Sequence, residues 1–227
     1  MTIQPVVREL RLREKLLVCG VNHLSDVELL AALISSGSAK RSCIQLAQDL
    51  IQYFGDLRAV LNASLESFQK IPGLGVVRYV QLQAAREICH RSHFIDLKKN
   101  VTLTNTNQTH AYLKRQLRDK KNETFVALFL DSQHRVLAYD ELFYGTINNA
   151  TIHPRPIVER VLQINAAALI LAHNHPSGRS DASQQDIAVT KRLQQALDLV
   201  DVRLLDHLVI GDNEIYSIMS SIKWVCH

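Results

Sequence analysis

Leu171-Ala172-His173-Asn174-His175-Pro176-Ser177-Gly178 is followed, four residues on, by Ser183-Gln184-Gln185-Asp186. The run Ala167-Ala168-Leu169-Ile170-Leu171-Ala172 that leads into it is short, apolar and stopped by a turn, the pattern of a buried strand. Two imidazoles at i and i+2 on a strand end point to the same face, and Pro176 and Gly178 set a turn that lets both converge on one ion. Asp186 falls in the first turn of the next helix, close enough for the chain to fold it back over the strand end. Two histidines and a carboxylate with a fourth position free form the ligand set of a catalytic zinc rather than a structural one. A plainer reading of Asp186 stands beside this one. Ser183 and Asp186 have the S-x-x-D spacing of a helix capping box, and that pair alone favours the cap. Three suitable groups at one loop favour the metal.

Outward from this loop the second half reads as alternating strands and helices. Thr124 to Leu130 is a continuous apolar run, the turn signal Asp131-Ser132-Gln133-His134 follows, and Val136 to Phe143 is again strand-like, so the two form a predicted hairpin. Pro154 to Asn165 and Ser183 to Leu199 read as helices, Val202 to Ile210 as a strand and Glu214 to Met219 as a last short one. This alternation implies an α/β layer around a mixed sheet.

The first ninety-odd residues instead read as short helices with turn punctuation. Ser25 and Glu28 have capping-box spacing ahead of a stripe that runs to Leu33, a second stripe from Ile44 to Phe54 stops at Gly55, and a third helix spans Ser64 to Lys70. Between Arg91 and Gln108 the helical period is lost among polar turn formers, which places the linker there and domains at 1–95 and 105–227. Ile71-Pro72-Gly73-Leu74-Gly75-Val76-Val77 has the form of a helix-hairpin-helix. Glycines at 73 and 75 would let amides at a helix N-terminus approach a DNA phosphate, helped by Arg78, or they would only permit tight packing of an αα turn.

Composition bounds the rest. With 47% apolar residues, 8 Gly, 5 Pro and a net charge of +4 over 227 residues, the chain is globular, neither disordered nor collagen-like. No stretch approaches the roughly 18 apolar residues of a membrane span, and Arg8, Glu9, Arg11, Arg13 and Glu14 leave no signal-peptide core, so a cytoplasmic protein is expected. The whole charge excess lies before residue 101, where 13 Lys and Arg meet 9 Asp and Glu; the remainder holds 13 of each. Cys19, Cys43, Cys89 and Cys226 form no CxxC pair, and mostly buried, inert thiols are expected.

His173-x-His175, seven residues, Ser183, two residues and Asp186 match the JAMM motif of the JAB/MPN metalloprotease domain. The chain from Glu123 onward, with Leu205-Asp206-His207, resembles the JAB-type domain of the bacterial RadC family (UPF0758-like). Arg13-Glu14-Lys15-Leu16-Leu17, Leu24-Ser25-Asp26 and Glu28-Leu29-Leu30 resemble that family's N-terminal region, with Leu12 where a proline is expected. The resemblance implies an α+β protein: a small all-α helix-hairpin-helix-like domain, then an α/β JAB/MPN (cytidine-deaminase-like) domain with a mixed central sheet. It also implies a mechanism. His173, His175 and Asp186 would hold one Zn²⁺, which acidifies its water toward a pKa of about 7 and polarises the scissile carbonyl. A glutamate at the start of the first strand would take the proton, and Glu123 fits that place ahead of Glu141, which reads as the solvated side of the hairpin. Ser183 would cap the helix and donate to the oxyanion. Asp206 and His207 would brace the ligands or, as a buried histidine more often does, His207 would bond a backbone carbonyl.

The letters His173-Asn174-His175 also spell HNH, but HNH nucleases spread those residues over a ββα unit, which argues against that class. Two functions then stand against each other. One is a zinc metallohydrolase acting on a peptide or isopeptide bond of an unknown protein substrate, with a weak, sequence-independent DNA contact through the N-terminal domain and no membrane. The other is a non-catalytic DNA-binding accessory protein that uses zinc for structure or partner binding. The set Glu123, His173, His175, Ser183 and Asp186 favours the first.

Overall fold

In the computed structural model, which describes residues 12–99, 106–144 and 152–225, the run at 167–172 is strand β3 (Ala168–Asn174), every residue of it buried. It lies inside a six-stranded mixed sheet with β1 (Thr124–Leu130), β2 (Val136–Tyr144), β4 (Arg203–Ile210), β5 (Glu214–Ser217) and β6 (Ile222–Val225), in the order β2-β1-β3-β4-β5-β6. Only β3 and β4 are parallel, joined by a helical crossover; the other neighbours are antiparallel. The predicted hairpin is the β1–β2 pair. Helix α7 (Thr106–Leu117) contributes Tyr112, Leu113 and Leu117 to one face of the sheet, against Val126, Leu128, Ala172 and Leu208. Helices α8 (Pro154–Gln163) and α9 (Gln184–Asp198) cover the other, where Phe125, Phe129, Leu169 and Leu171 meet Ile157, Val161, Leu193 and Leu197. Covering on both faces is why β1 and β3 read as unbroken apolar runs rather than alternating ones.

The chain divides into two compact units, Met1–Cys89 and His90–His227. The first is helical: α1 (Leu12–Cys19), α2 (Asp26–Ile34), α3 (Cys43–Phe54), α4 (Leu57–Leu61), α5 (Leu65–Gln69) and the start of α6 (Val76–Lys99). Its core gathers Leu30, Ile34, Leu46, Leu50 and Phe68. Complete capping boxes at Ser25/Glu28 and Ser42/Gln45 open α2 and α3, and Gly55 ends α3 in the left-handed region at φ 99°. Each cap satisfies otherwise unpaired amides and is worth about 1 kcal/mol.

Three expectations are corrected. The stretch from Arg91 to Gln108 does not lose its helical character at either end, since α6 runs on to Lys99 and α7 begins at Thr106; packing of Phe94 against Tyr112 outweighs the weak local propensity. Strand β6 went unforeseen because four edge residues carry no readable alternation. The free thiols are not buried: Cys19 and Cys43 are half-buried and Cys89 is exposed on α6, beside Ile88, itself 67% exposed. Arg8, Glu9, Arg11, the polar residues 100–105 and Cys226 lie outside the described residues. Among the described residues no helix is long and apolar enough to cross a membrane.

Candidate metal centre

β3 delivers His173, fully buried, one residue before its end, and His175 follows just beyond it. The turn that carries His175 is pinned to the end of β4. The His175 amide donates to the Ile210 carbonyl (3.2 Å), the Gly178 amide to the His175 carbonyl (2.9 Å) and the Asp212 amide to the Gly178 carbonyl (2.9 Å). Gly178 has φ +80°, a conformation that strains any other residue, and a β-carbon there would stand 2.7 Å from the Asp212 Oδ2 at the end of its side chain.

α9 starts at the same end of the sheet, and both readings of Asp186 prove compatible because its two oxygens do different work. Oδ2 accepts the Ser183 amide (2.7 Å) and hydroxyl (2.6 Å), completing the capping box, while Oδ1 lies 3.3 Å from His173 Nε2. Burial pushes the Asp186 carboxyl up, but His173 in its protonated form and the Ser183 hydrogen bonds outweigh it and hold the group well below the usual carboxylate range.

Glu123 arrives from fifty residues upstream. The antiparallel β1–β3 register pairs Phe125 with His173, and continuing it by two residues puts Glu123 level with His175. Asn174, between the two histidines, clamps this segment: its Oδ1 accepts the Thr124 amide (2.9 Å) and its Nδ2 donates to the carbonyls of Lys120 (3.1 Å) and Asn122 (3.4 Å). One side-chain donor or acceptor atom from each of Glu123, His173, His175 and Asp186 falls in a set lying within 4.8 Å of one another. Glu141 is elsewhere, on β2 beyond β1 from the histidines, where it accepts from Lys120 Nζ (2.8 Å).

The protons of the site follow from its hydrogen bonds. Thr190 Oγ1 donates its single proton to the Asp186 carbonyl (2.6 Å), so it accepts from His207 Nδ1 (2.5 Å). His207 Nε2 is then a lone pair and accepts from His173 Nδ1 (2.9 Å), so the neutral His173 ring presents its Nε2 lone pair to the site. His175 Nδ1 donates to the Arg179 carbonyl (3.1 Å), so its Nε2 is unprotonated as well. Burial, and then the neighbouring His173, keep the His175 and His207 imidazoles below their ordinary pKa. Two imidazole lone pairs 3.1 Å apart and a carboxylate oxygen therefore face a common point. A single proton would satisfy one pair of these atoms; a cation at the centre satisfies them all.

Two family models match the chain, one for a RadC-like JAB domain over residues 103–223 and one for the UPF0758 N-terminal region over residues 3–80. The chain belongs to the RadC-like JAB family. A UPF0758 protein of Legionella pneumophila (strain Corby) is 68% identical over the full length of both chains. One from Cellvibrio japonicus is 50% identical over 208 residues, 92% of this chain and 93% of that one, and one from Shewanella sp. (strain MR-4) is 50% identical over 205 residues, 90% and 91%. The JAB domain is a metallohydrolase-type fold whose family typically binds zinc.

In this RadC-like JAB domain His207 does not bond a backbone carbonyl, as a lone buried histidine was expected to; its partners are His173 and Thr190. Phe125 packs against both rings, parallel to His173 and edge-on to His207. Thr190 had no signal in the sequence, since it sits one helical turn beyond Asp186 and only the fold brings β4 beneath it. Replacing Thr190 with valine, which keeps the shape and removes the hydroxyl, is expected to weaken zinc binding by about ten- to a hundredfold, the usual effect of losing a group that orients a metal ligand. Competition with a chromophoric chelator measures this, and Thr190→Ser should restore affinity. Equal affinity in the valine variant would show that His173 needs no such support.

His207 also gives the domain an acid sensitivity. Its folded pKa lies below the ordinary value of 6.5, so below about pH 6.5 the unfolded chain binds a proton that the folded chain refuses. Stability is fully present above that pH and falls as the pH drops toward the folded pKa. Calorimetry of the metal-free protein is expected to show a lower Tm at about pH 5.5 than at about pH 7.5, with a smaller difference in His207→Gln; an undiminished difference would assign the effect to other groups.

In the N-terminal unit, Gly73 has φ +94° and a β-carbon there would meet Leu46 Cδ2 at 3.1 Å and Ser38 at 3.2 Å, while Gly75 faces open space. The Arg78 guanidinium donates to the carbonyls of Gly73 (2.7 Å), Ser36 (3.1 Å) and Gly37 (2.7 Å). Gly73 and Arg78 are thus accounted for by packing within the unit. Gly73 and Gly75 are both exposed, and Arg78 is half-buried.

Proposed function

We infer that the protein is a zinc-dependent hydrolase of peptide or isopeptide bonds that works in the cytoplasm. The observation that carries this reading is the convergence of His173 Nε2, His175 Nε2, an Asp186 carboxylate oxygen and Glu123 on one point, with the outer sides of both rings already hydrogen-bonded. His173, His175 and Asp186 would hold the ion. Zinc bound there would acidify water and polarise the carbonyl under attack.

The remaining work belongs to the chain. Glu123 takes the proton of the attacking water and returns it to the leaving amine, from a position fixed by the Asn174 clamp rather than by a flexible loop. Ser183 donates to the oxyanion once its proton turns away from Asp186 Oδ2, where it rests in this structure. His207 and Thr190 hold the His173 ring in the form that binds metal. The reading of a non-catalytic accessory protein has less support, because a structural site has no use for a carboxylate such as Glu123 beside its ligands. DNA contact at the helix-hairpin-helix-like turn rests on Gly75 and the amides that open α6, and would be weak and salt-sensitive.

The test begins with metal analysis of the purified full chain. One zinc per chain is expected, removed by a strong chelator and restored by added zinc. A panel of quenched fluorescent peptides and isopeptide-linked conjugates then reads hydrolysis with and without the metal. Zinc-dependent cleavage of any member supports the reading; zinc held without cleavage anywhere in the panel supports the accessory protein.

A further inference from the structure

We propose that a cleft on the opposite face of the sheet from the histidines binds a phosphate-bearing aromatic ligand, a nucleotide unit. The cleft has a volume of about 490 Å³ and is lined by His110, Lys114, Arg115 and Arg118 from α7 and its end, and by Trp224 and Val225 from β6. That volume lies within the range of small-ligand sites. His110, Lys114 and Arg118 recur every four residues along one side of the helix, with Arg115 beside them. No acidic residue lines the cleft among the described residues, and α7 contains none. Among the described residues Lys114 and Arg115 form no ion pair; Arg118 touches Asp119 at 3.3 Å.

The aromatic part of the site is equally specific. The Trp224 indole is half-buried and braced by His110, with ring centroids 4.6 Å apart and planes tilted by 60°. Burial holds His110 below its ordinary pKa, against the pull of Asp206, so it serves as a flat neutral support rather than a fourth cation. Cations alone would suit any anion. Cations around a braced indole suit a ligand that carries phosphate and a stacking ring together. The two faces of the sheet are distinct: α7 packs on the face of Val126 and Leu128, whereas Phe125, which meets His173 and His207, points to the other. The site therefore does not depend on the metal.

Trp224 is the sole tryptophan of the chain, so its emission reports on the cleft directly. The experiment titrates the full chain at low salt with adenosine monophosphate, with a short single-stranded oligothymidylate, with inorganic phosphate and with polyglutamate. Saturable quenching by the nucleotide or the oligonucleotide is expected, weakening as salt is added. Equal affinity per nucleotide for the two points to free nucleotide, and tight binding of the oligonucleotide alone points to a single strand. Lys114→Glu and Arg115→Glu should each lower the affinity about tenfold, the effect of losing a charge-assisted hydrogen bond, with the emission of the free protein unchanged. Trp224→Leu, read by calorimetry, should cost a further factor of about ten from lost stacking. Absence of quenching, quenching untouched by both charge reversals, or displacement by phosphate or polyglutamate as effective as by nucleotide would each overturn the proposal.

Discussion

Asp186→Ala is expected to leave the protein without stoichiometric zinc after gel filtration, and His173→Ala to do the same. A structural zinc site is worth about 10–16 kcal/mol, so each of three protein ligands carries at least about 3 kcal/mol and its loss lowers affinity more than about a hundredfold. The two variants differ in what else they lose. His173→Ala removes a ligand and frees His207 Nε2 of its donor, leaving a buried unpaired acceptor. Asp186→Ala also takes away the carboxylate half of the cap on α9, which Ser183 alone still closes from its own side. Metal analysis paired with thermal unfolding of the metal-free proteins separates loss of ligand from loss of fold. Zinc retained at one per chain by both variants would remove them from the coordination sphere and with them the hydrolase reading.

Glu123→Gln is expected to keep zinc and lose hydrolysis by about a thousandfold, the middle of the range for a positioned general base. Glutamine preserves size and hydrogen bonding but cannot accept the proton. Because Glu123 stands in the same cluster as the ligands, the metal content of the variant is as informative as its rate. Zinc lost together with activity would make Glu123 a ligand rather than a base. Glu141→Gln serves as the comparison, since Glu141 pairs with Lys120 outside the cluster; it should hydrolyse at the normal rate. A Glu123→Gln variant with zinc and full activity would return the search for the base to other groups. The inactive, zinc-loaded form is also the one to use for trapping cellular substrates.

Much of this site is written locally. The spacing His173-x-His175, the glycine at 178 and the capping box at Ser183 and Asp186 each act over a few residues, where strand pleat, turn geometry and helix pitch fix direction. A sequence displays such relations directly. The α2 capping box, the stop of α3 at Gly55 and the buried β1 and β3 runs were legible for the same reason. The Arg91–Gln108 stretch misled because its residues are weak helix formers whose state is settled by what they pack against, as Phe94 is against Tyr112.

By itself, then, the sequence determined a helical first unit, a mixed sheet in the second and three groups aimed at one point. Tertiary structure alone decided how those groups are held. Strand pairing brought Glu123 beside His175 and let Asn174 clamp it across fifty residues. The parallel β3–β4 pair and the crossover helix set Thr190 over His207, giving His173 its orientation. Folding of the first unit set the Arg78 guanidinium against three carbonyls, those of Ser36, Gly37 and Gly73. These contacts join residues far apart in the chain, and side-chain hydrogen bonds between them exist only after the backbone ladder has fixed their register.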